Sequence, residues 1–321
     1  MLDTTQQETF PVINWAYNSV FQKDKLTVGL VAPLETYANS AIPTMRNQLA
    51  RIKLAEELGF AAVWLRDVPF SVSSFGDAGQ IFDPWVYLGM LAGQTQSIAL
   101  GLASAILPLR HPAHVAKAAA SVDVLSGGRM LLGVASGDRP DEYPALDMSF
   151  GDRADRFREA FAYIREMAKD RPVHQGGHGA LDGSIDMLPK PSGARLPMLV
   201  TGASQQSPEW IASNGDGWML YPRDTPTQAK IIADWRARTI DAGRDEQPVM
   251  QPLYVDLVEG SHAPQPIHLG LRLSAHDLVA YLKSLEGIGV NHVALNLRFN
   301  QADMTTTLNR LATGVLPGFT Y

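Results

Sequence analysis

The 321-residue chain contains no cysteine. That absence removes thiol catalysis, thiolate metal sites, iron–sulfur clusters and disulfides together. Runs of lysine or arginine are missing too, and 27 basic against 33 acidic side chains leave a formal charge of −6. Binding a phosphate backbone needs clustered cations, so no nucleic-acid partner is expected. The longest apolar run, Ile98 to Leu109, falls well short of the ~20 residues that cross a bilayer, so no membrane span is expected either. The chain does not open on a basic stretch followed by an apolar one; residues 1–24 therefore read as an N-terminal arm packed on the surface, and the expected location is cytoplasmic. No His-x-x-x-His or His-Glu-x-x-His spacing occurs, and His111 and His114 lack a nearby carboxylate, so no metal site is expected. A Gly-x-Ser-x-Gly elbow is absent as well.

What is present is alternation. From Leu26 onward, short β-like apolar runs trade places with longer helical stretches. The strand-like runs are 26–32, 61–65, 98–106, 130–135, 197–201, 218–221, 249–258 and 292–297. Between and after them, helical patterns cover 52–58, 84–94, 113–125, 153–169, 208–213, 227–242, 276–285 and 306–312. Several carry their own punctuation: Asp83-Pro84 and Ser207-Pro208 as N-cap and first helical residue, and Gly59 and Gly127-Gly128 as stops.

Eight strands strictly alternating with eight helices predict an α/β fold, a closed (β/α)8 TIM barrel over residues 25–321, with loop insertions at its C-terminal face. A dinucleotide-binding doubly wound sheet is the competing arrangement. It is disfavoured because Gly29-Leu30-Val31-Ala32-Pro33 after the first strand offers one glycine where that fold uses three. The long loops are 69–82, 138–152, 171–196 and 259–274. Three of them follow strands and so belong at the mouth, where barrel sites are built; 171–196 follows a helix and belongs at the opposite face or on the outside.

Strand ends supply the candidate chemistry. Thr201-Gly202-Ala203-Ser204 leads into a helix at Ser207, with small residues, hydroxyls and free amides that suit a phosphate; an ordinary βα turn is the alternative. Arg153 and Arg156 open a helix beside Asp152 and Asp155, either as a phosphate clamp or as a solvated face. Asp67 ends the second strand as a candidate acid or base, or simply as a partner of Arg66. The small Ala103-Ser104 at the end of the third strand would let a flat ring lie against the mouth. Composition and spacing lead to a barrel enzyme for a phosphorylated, flat ligand.

Several segments, in order, resemble the bacterial-luciferase-like flavin monooxygenases: Ala55-Glu56-Glu57-Leu58-Gly59-Phe60 with Val63-Trp64; Asp83-Pro84 with Leu91-Ala92-Gly93-Gln94-Thr95 and Ile98-Ala99-Leu100-Gly101; Arg110-His111-Pro112; Asp123-Val124-Leu125-Ser126-Gly127-Gly128-Arg129 with Leu132-Gly133-Val134; then Gly202-Ala203-Ser204 and Asp216-Gly217. The resemblance implies FMN, supplied reduced by a separate flavin reductase, lying over Ala103 and Ser104, whose peptide would be cis. Its phosphate would lie between Ser136-Gly137, Arg153 and Arg156, and Gly202-Ala203-Ser204. The Asp123 to Arg129 stretch would stabilise the barrel on the opposite face.

One departure stands out: many members have a histidine directly after the acidic residue that ends the second strand, and here Asp67 is followed by Val68. The resemblance implies an FMN-dependent monooxygenase that oxygenates a small organic substrate. Asp67 would be the catalytic residue, Tyr221, Tyr254 and Arg298 the substrate contacts, loop 259–274 a lid, and a homodimer the assembly. A deazaflavin-dependent dehydrogenase is the alternative, and a non-catalytic flavin-binding or partner subunit a third reading.

Overall fold

A computed structural model describes residues 9–260 and 263–319. Its barrel strands are β1 (Thr27–Val31), β2 (Ala62–Leu65), β3 (Ala99–Ile106), β4 (Met130–Ala135), β5 (Met198–Thr201), β6 (Gly217–Met219), β7 (Val249–Leu257) and β8 (His292–Asn296). Each pairs in parallel with the next, and β8 returns to β1 with Thr27 opposite His292 and Val31 opposite Asn296, so the sheet closes as a (β/α)8 barrel.

The barrel helices are α1 (Gln48–Glu57), α2 (Pro84–Gln94), α3 (Pro112–Leu125), α4 (Arg153–Met167), α5 (Pro208–Asn214), α6 (Thr225–Asp241), α7 (Ala275–Gly287) and α8 (Met304–Gly314), with short additional helices at Trp15–Val20 and Glu142–Ala145. Local chemistry sets their ends. Asp83 accepts from the amides of Trp85 and Val86, and Ser207 from that of Trp210. Helix α6 starts two residues earlier than its apolar period suggests, because Asp224 caps Thr227 and Pro226 fits the first turn. Gly59, at φ +87°, ends the turn after α1 in the left-handed region that glycine enters freely.

The N-terminal segment departs from expectation. Residues 1–8 lie outside the described residues, but Phe10, Ile13, Ala16, Tyr17, Val20 and Phe21 do not rest on the outer surface. They pack against the inward side chains Leu131, Leu199, Met250 and Ala294 and close the barrel from below. Apolar burial drives this, and polar groups orient it: Asn14 donates to Asp123 and to Met130 O, and the Tyr17 hydroxyl donates to Asp216 O at 2.7 Å. Nearby, Arg129 is buried and donates to the carbonyls of Ala92, Thr95, Ile98 and Ser126, which ties α2, β3 and α3 together at this lower face.

Loop 171–196 carries an antiparallel hairpin, Val173–Gly176 with Gly179–Asp182, against α4 on the outside. The loop expected to be a lid is partly regular: Gln265–Ile267 pairs with Gly270–Leu273, which in turn extends the sheet alongside β7; residues 261 and 262 of that loop are not described. Among the described residues, no helix is long and apolar enough to cross a membrane.

Candidate active site at the barrel mouth

A cavity of about 640 Å3 opens at the C-terminal ends of the strands, within the usual range for small-molecule sites. Trp64 forms part of its wall. The indole N–H can only donate, so His292 accepts it on Nε2 at 2.9 Å and carries its own proton on Nδ1, 2.7 Å from Thr27 Oγ1. Thr27 donates onward to Val20 O at 2.7 Å, which links the cavity wall to the N-terminal plug. Burial pushes His292 down to about 3 and keeps it neutral. Gly101 makes room for the indole: a Cβ there would stand 2.2 Å from Trp64 Cε3.

The peptide between Ala103 and Ser104 is cis, and Ser104 Oγ is hydrogen-bonded to Thr201 Oγ1 across to β5. Both residues line the cavity, as do Ser136 and Gly137 at the end of β4. Gly137 turns the chain at φ +78°. On the β5 side, Gly202, Ser204 and Gln205 all have positive φ, at 54°, 45° and 59°. Gly202 N donates to Met219 O, whereas the amides of Ala203, Ser204 and Gln205 donate to no protein acceptor among the described residues. Successive free amides in this conformation form a concave anion seat. Gln206 fastens the seat to α4 by donating to Ala154 O at 2.9 Å.

Asp67 also lines the cavity, yet both its oxygens are committed. Arg110 donates to them from Nη2 at 2.7 Å and from Nε at 3.1 Å, and the Ile106 amide stands at 3.3 Å. Its partner is thus Arg110, 43 residues away, while Arg66 pairs with Asp77 at 2.7 Å. Arg153 and Arg156 are not among the residues lining the cavity. Arg153 lies over the Phe150 ring at 3.6 Å and donates to Phe150 O; Arg156 donates to Pro108 O at 3.2 Å.

Tyr221, Tyr254 and Arg298 all reach the cavity. Burial raises both phenols above their ordinary range. Arg298 is buried and holds loops together: it donates to Ser40 O and Gly76 O, each at 3.0 Å, and pairs with Asp77 at 3.0 Å. Burial pushes the Asp77 carboxyl up, but Arg66, the Gly79 amide and Arg298 outweigh it and hold the group below the usual range.

Sequence reasoning missed Arg66, Asp77, Asp138, Arg139 and Glu142, all lining the cavity. Asp138-Arg139 directly follows Ser136-Gly137 in a loop already marked for the mouth, a signal that was available. Residues 32–47 after β1 were overlooked as a mouth loop, although Tyr37 and Ser40 belong to it. Loop 69–82 contributes Phe75 and Asp77, loop 138–152 contributes Arg139 and Glu142, and loop 259–274 contributes His268 and Leu269.

The family model described as luciferase-like monooxygenase matches residues 26–259. The chain belongs to this family. Its members are oxidoreductases, and the barrel mouth just described falls largely within the matched region. One relative, the F420-dependent hydroxymycolic acid dehydrogenase of Mycobacterium tuberculosis, is 32% identical over 201 residues, 61% of this chain; the match spans 54%, about half, of that relative's length. Monooxygenase RslO1 from Streptomyces bottropensis has the same fold, with a TM-score of 0.76 at 20% identity over 92% of this chain and 100% of that one. An F420-dependent secondary alcohol dehydrogenase solved with an F420–acetone adduct also gives 0.76, at 19% identity and the same coverage.

Proposed function

We propose that this chain is an oxidoreductase that holds a tricyclic cofactor in the barrel mouth, with its phosphate on the free amides of Ala203, Ser204 and Gln205. That amide seat is the observation that carries the reading. Gly202 keeps it shallow, Ser136 and Gly137 line the facing strand end, and Ala103 and Ser104 form the platform for the ring. Arg153 and Arg156, turned to Phe150 and Pro108, contribute field rather than contact.

The cofactor we infer is a deazaflavin, because the hydroxymycolic acid dehydrogenase and an F420-dependent glucose-6-phosphate dehydrogenase of Beutenbergia cavernae are both 32% identical to this chain. The second reading is an FMN-dependent monooxygenase, fed by a separate reductase. The locked state of Asp67 favours it, since oxygen activation asks less of a protein base than alcohol oxidation does. When bound, the cofactor supplies the two-electron chemistry, as hydride transfer for a deazaflavin or oxygen activation for FMN. The protein binds a small organic substrate beside it, near Tyr221 and Tyr254, and Asp67 positions the mouth through Arg110.

Titration of the purified protein with F420 and with FMN separates the readings. The deazaflavin reading expects F420 to bind and its 420 nm absorbance to fall with an alcohol panel, without oxygen uptake; FMN binding with reductase-dependent oxygen consumption selects the second. Binding of neither cofactor removes both. Residues 25–321 are read as one catalytic unit in the cytoplasm. A homodimer is proposed through the exposed Ile81, Phe82, Val86 and Met90 at α2, and a monomeric sedimentation coefficient would remove that assignment.

A further inference from the structure

The same cavity holds a cluster of charged side chains on the loops after β2, β4 and β8. Two of its three guanidiniums are accounted for, because Arg66 and Arg298 share Asp77. Arg139 is not. It is only 5% exposed, yet it has no carboxylate within ion-pair distance among the described residues. Its one hydrogen bond to protein runs from Nη2 to Asp77 O at 3.2 Å, and its Nη1 is buried without a partner. Phe75, 41% exposed at the rim, covers one face of the guanidinium at 4.4 Å. A buried guanidinium with five N–H groups and one acceptor carries a desolvation cost that this hydrogen bond and the Phe75 ring offset only in part.

Resting on the reading of this cavity as the active site, we propose that Arg139 recognises a single carboxylate on the molecule that enters it. A planar guanidinium fork matches a carboxylate with two parallel hydrogen bonds. Of the three guanidiniums, Arg139 is the one without a carboxylate partner among the described residues, so one carboxylate completes the set. Phe75 lies against the guanidinium, and the same cavity carries Val68, Ile106 and Leu269, so an acid with an apolar body is the class to test. This seat is separate from that of the cofactor phosphate, which belongs to backbone amides at β5.

The carboxylate has two sources, a small acid or an acidic tail on the cofactor, and one set of titrations distinguishes them. The probes are butyrate, hexanoate, octanoate, benzoate and phenylacetate, each paired with its methyl ester, read by tryptophan fluorescence and thermal shift on the wild type, Arg139→Gln and Arg139→Lys. We expect at least one acid to bind wild type about tenfold or more tighter than its ester, a preference that Arg139→Gln abolishes and Arg139→Lys partly keeps. Melting temperature separates this from a structural role: Arg139→Gln should be as stable as wild type or more so, because a buried unpaired charge has gone. If acid preference is absent in every pair but Arg139→Gln weakens F420 far more than F420 lacking its glutamyl tail, the carboxylate is the cofactor's. Equal affinities for acids and esters together with unchanged cofactor binding in Arg139→Gln would overturn the proposal while leaving the cofactor reading intact. A lowered melting temperature without any loss of acid or cofactor affinity would overturn it too, assigning Arg139 to the fold alone.

Discussion

Asp67 shows how much a side chain's partner decides its chemistry. Both oxygens of this carboxylate are gripped by one guanidinium, with a backbone amide alongside, so its acceptor sites are taken up by the protein and not turned to a ligand. Asp67→Asn should therefore lower stability by about 1–3 kcal/mol through the stranded Arg110 and leave the shape of the pH–rate profile unchanged. Loss of a titrating limb from that profile would instead make Asp67 the base. His292 gives the opposite case, a titratable ring kept neutral. Its pKa falls from 6.5 to about 3 on folding, so above pH 6.5 its full stabilisation is present. Between pH 6.5 and 3 the unfolded chain binds a proton that the folded one refuses, and stability should drop by about 1.4 kcal/mol per pH unit on acidification. Denaturant melts at pH 7 and 5 on wild type and His292→Phe check this; the variant should lose that part of the slope.

At the scale of elements, the sequence carried the barrel well because strands and helices announce themselves by period, and because caps such as Asp83-Pro84 and Ser207-Pro208 mark where helices begin. The cavity-lining positions Ala103-Ser104 and Gly202-Ala203-Ser204 were readable for the same local reason: small residues at strand ends. What depends on contacts distant in sequence was not readable. Asp67 and Arg110 are 43 residues apart, and nothing near either names the other. The direction in which Arg153 and Arg156 turn is set by Phe150 and Pro108, not by the helix that bears them. The plug at residues 10–21 was missed because an amphipathic segment before the first strand looks the same whether it lies on a surface or fills a barrel end. Tyr17→Ala should cost about 3–5 kcal/mol by leaving a void under the strands, measured by chemical denaturation, while changing cofactor affinity little. A surface arm would tolerate the change within about 0.5 kcal/mol.

For the molecule as a whole, the barrel has a lower face held together by the plug and Arg129 and an upper face that carries the cavity. On the upper face, neutral backbone amides at β5 share one cavity with a cluster of guanidiniums contributed by the loops after β2, β4 and β8. In the proposed reading, the cofactor phosphate and the substrate would meet different kinds of partner in one cavity of about 640 Å3. The most direct test of the central claim compares each cofactor with its phosphate-free counterpart, F420 with its deazaflavin nucleoside core and FMN with riboflavin, by equilibrium titration of wild type and Ala203→Asp. Ala203 is exposed, so the variant keeps the fold and sets a negative charge in the amide seat. The account predicts that for the cofactor the protein uses, the phosphorylated form binds wild type about 10- to 100-fold tighter and that this gap collapses in Ala203→Asp. Equal affinity for the two forms in wild type, or a gap that survives the substitution, would contradict it.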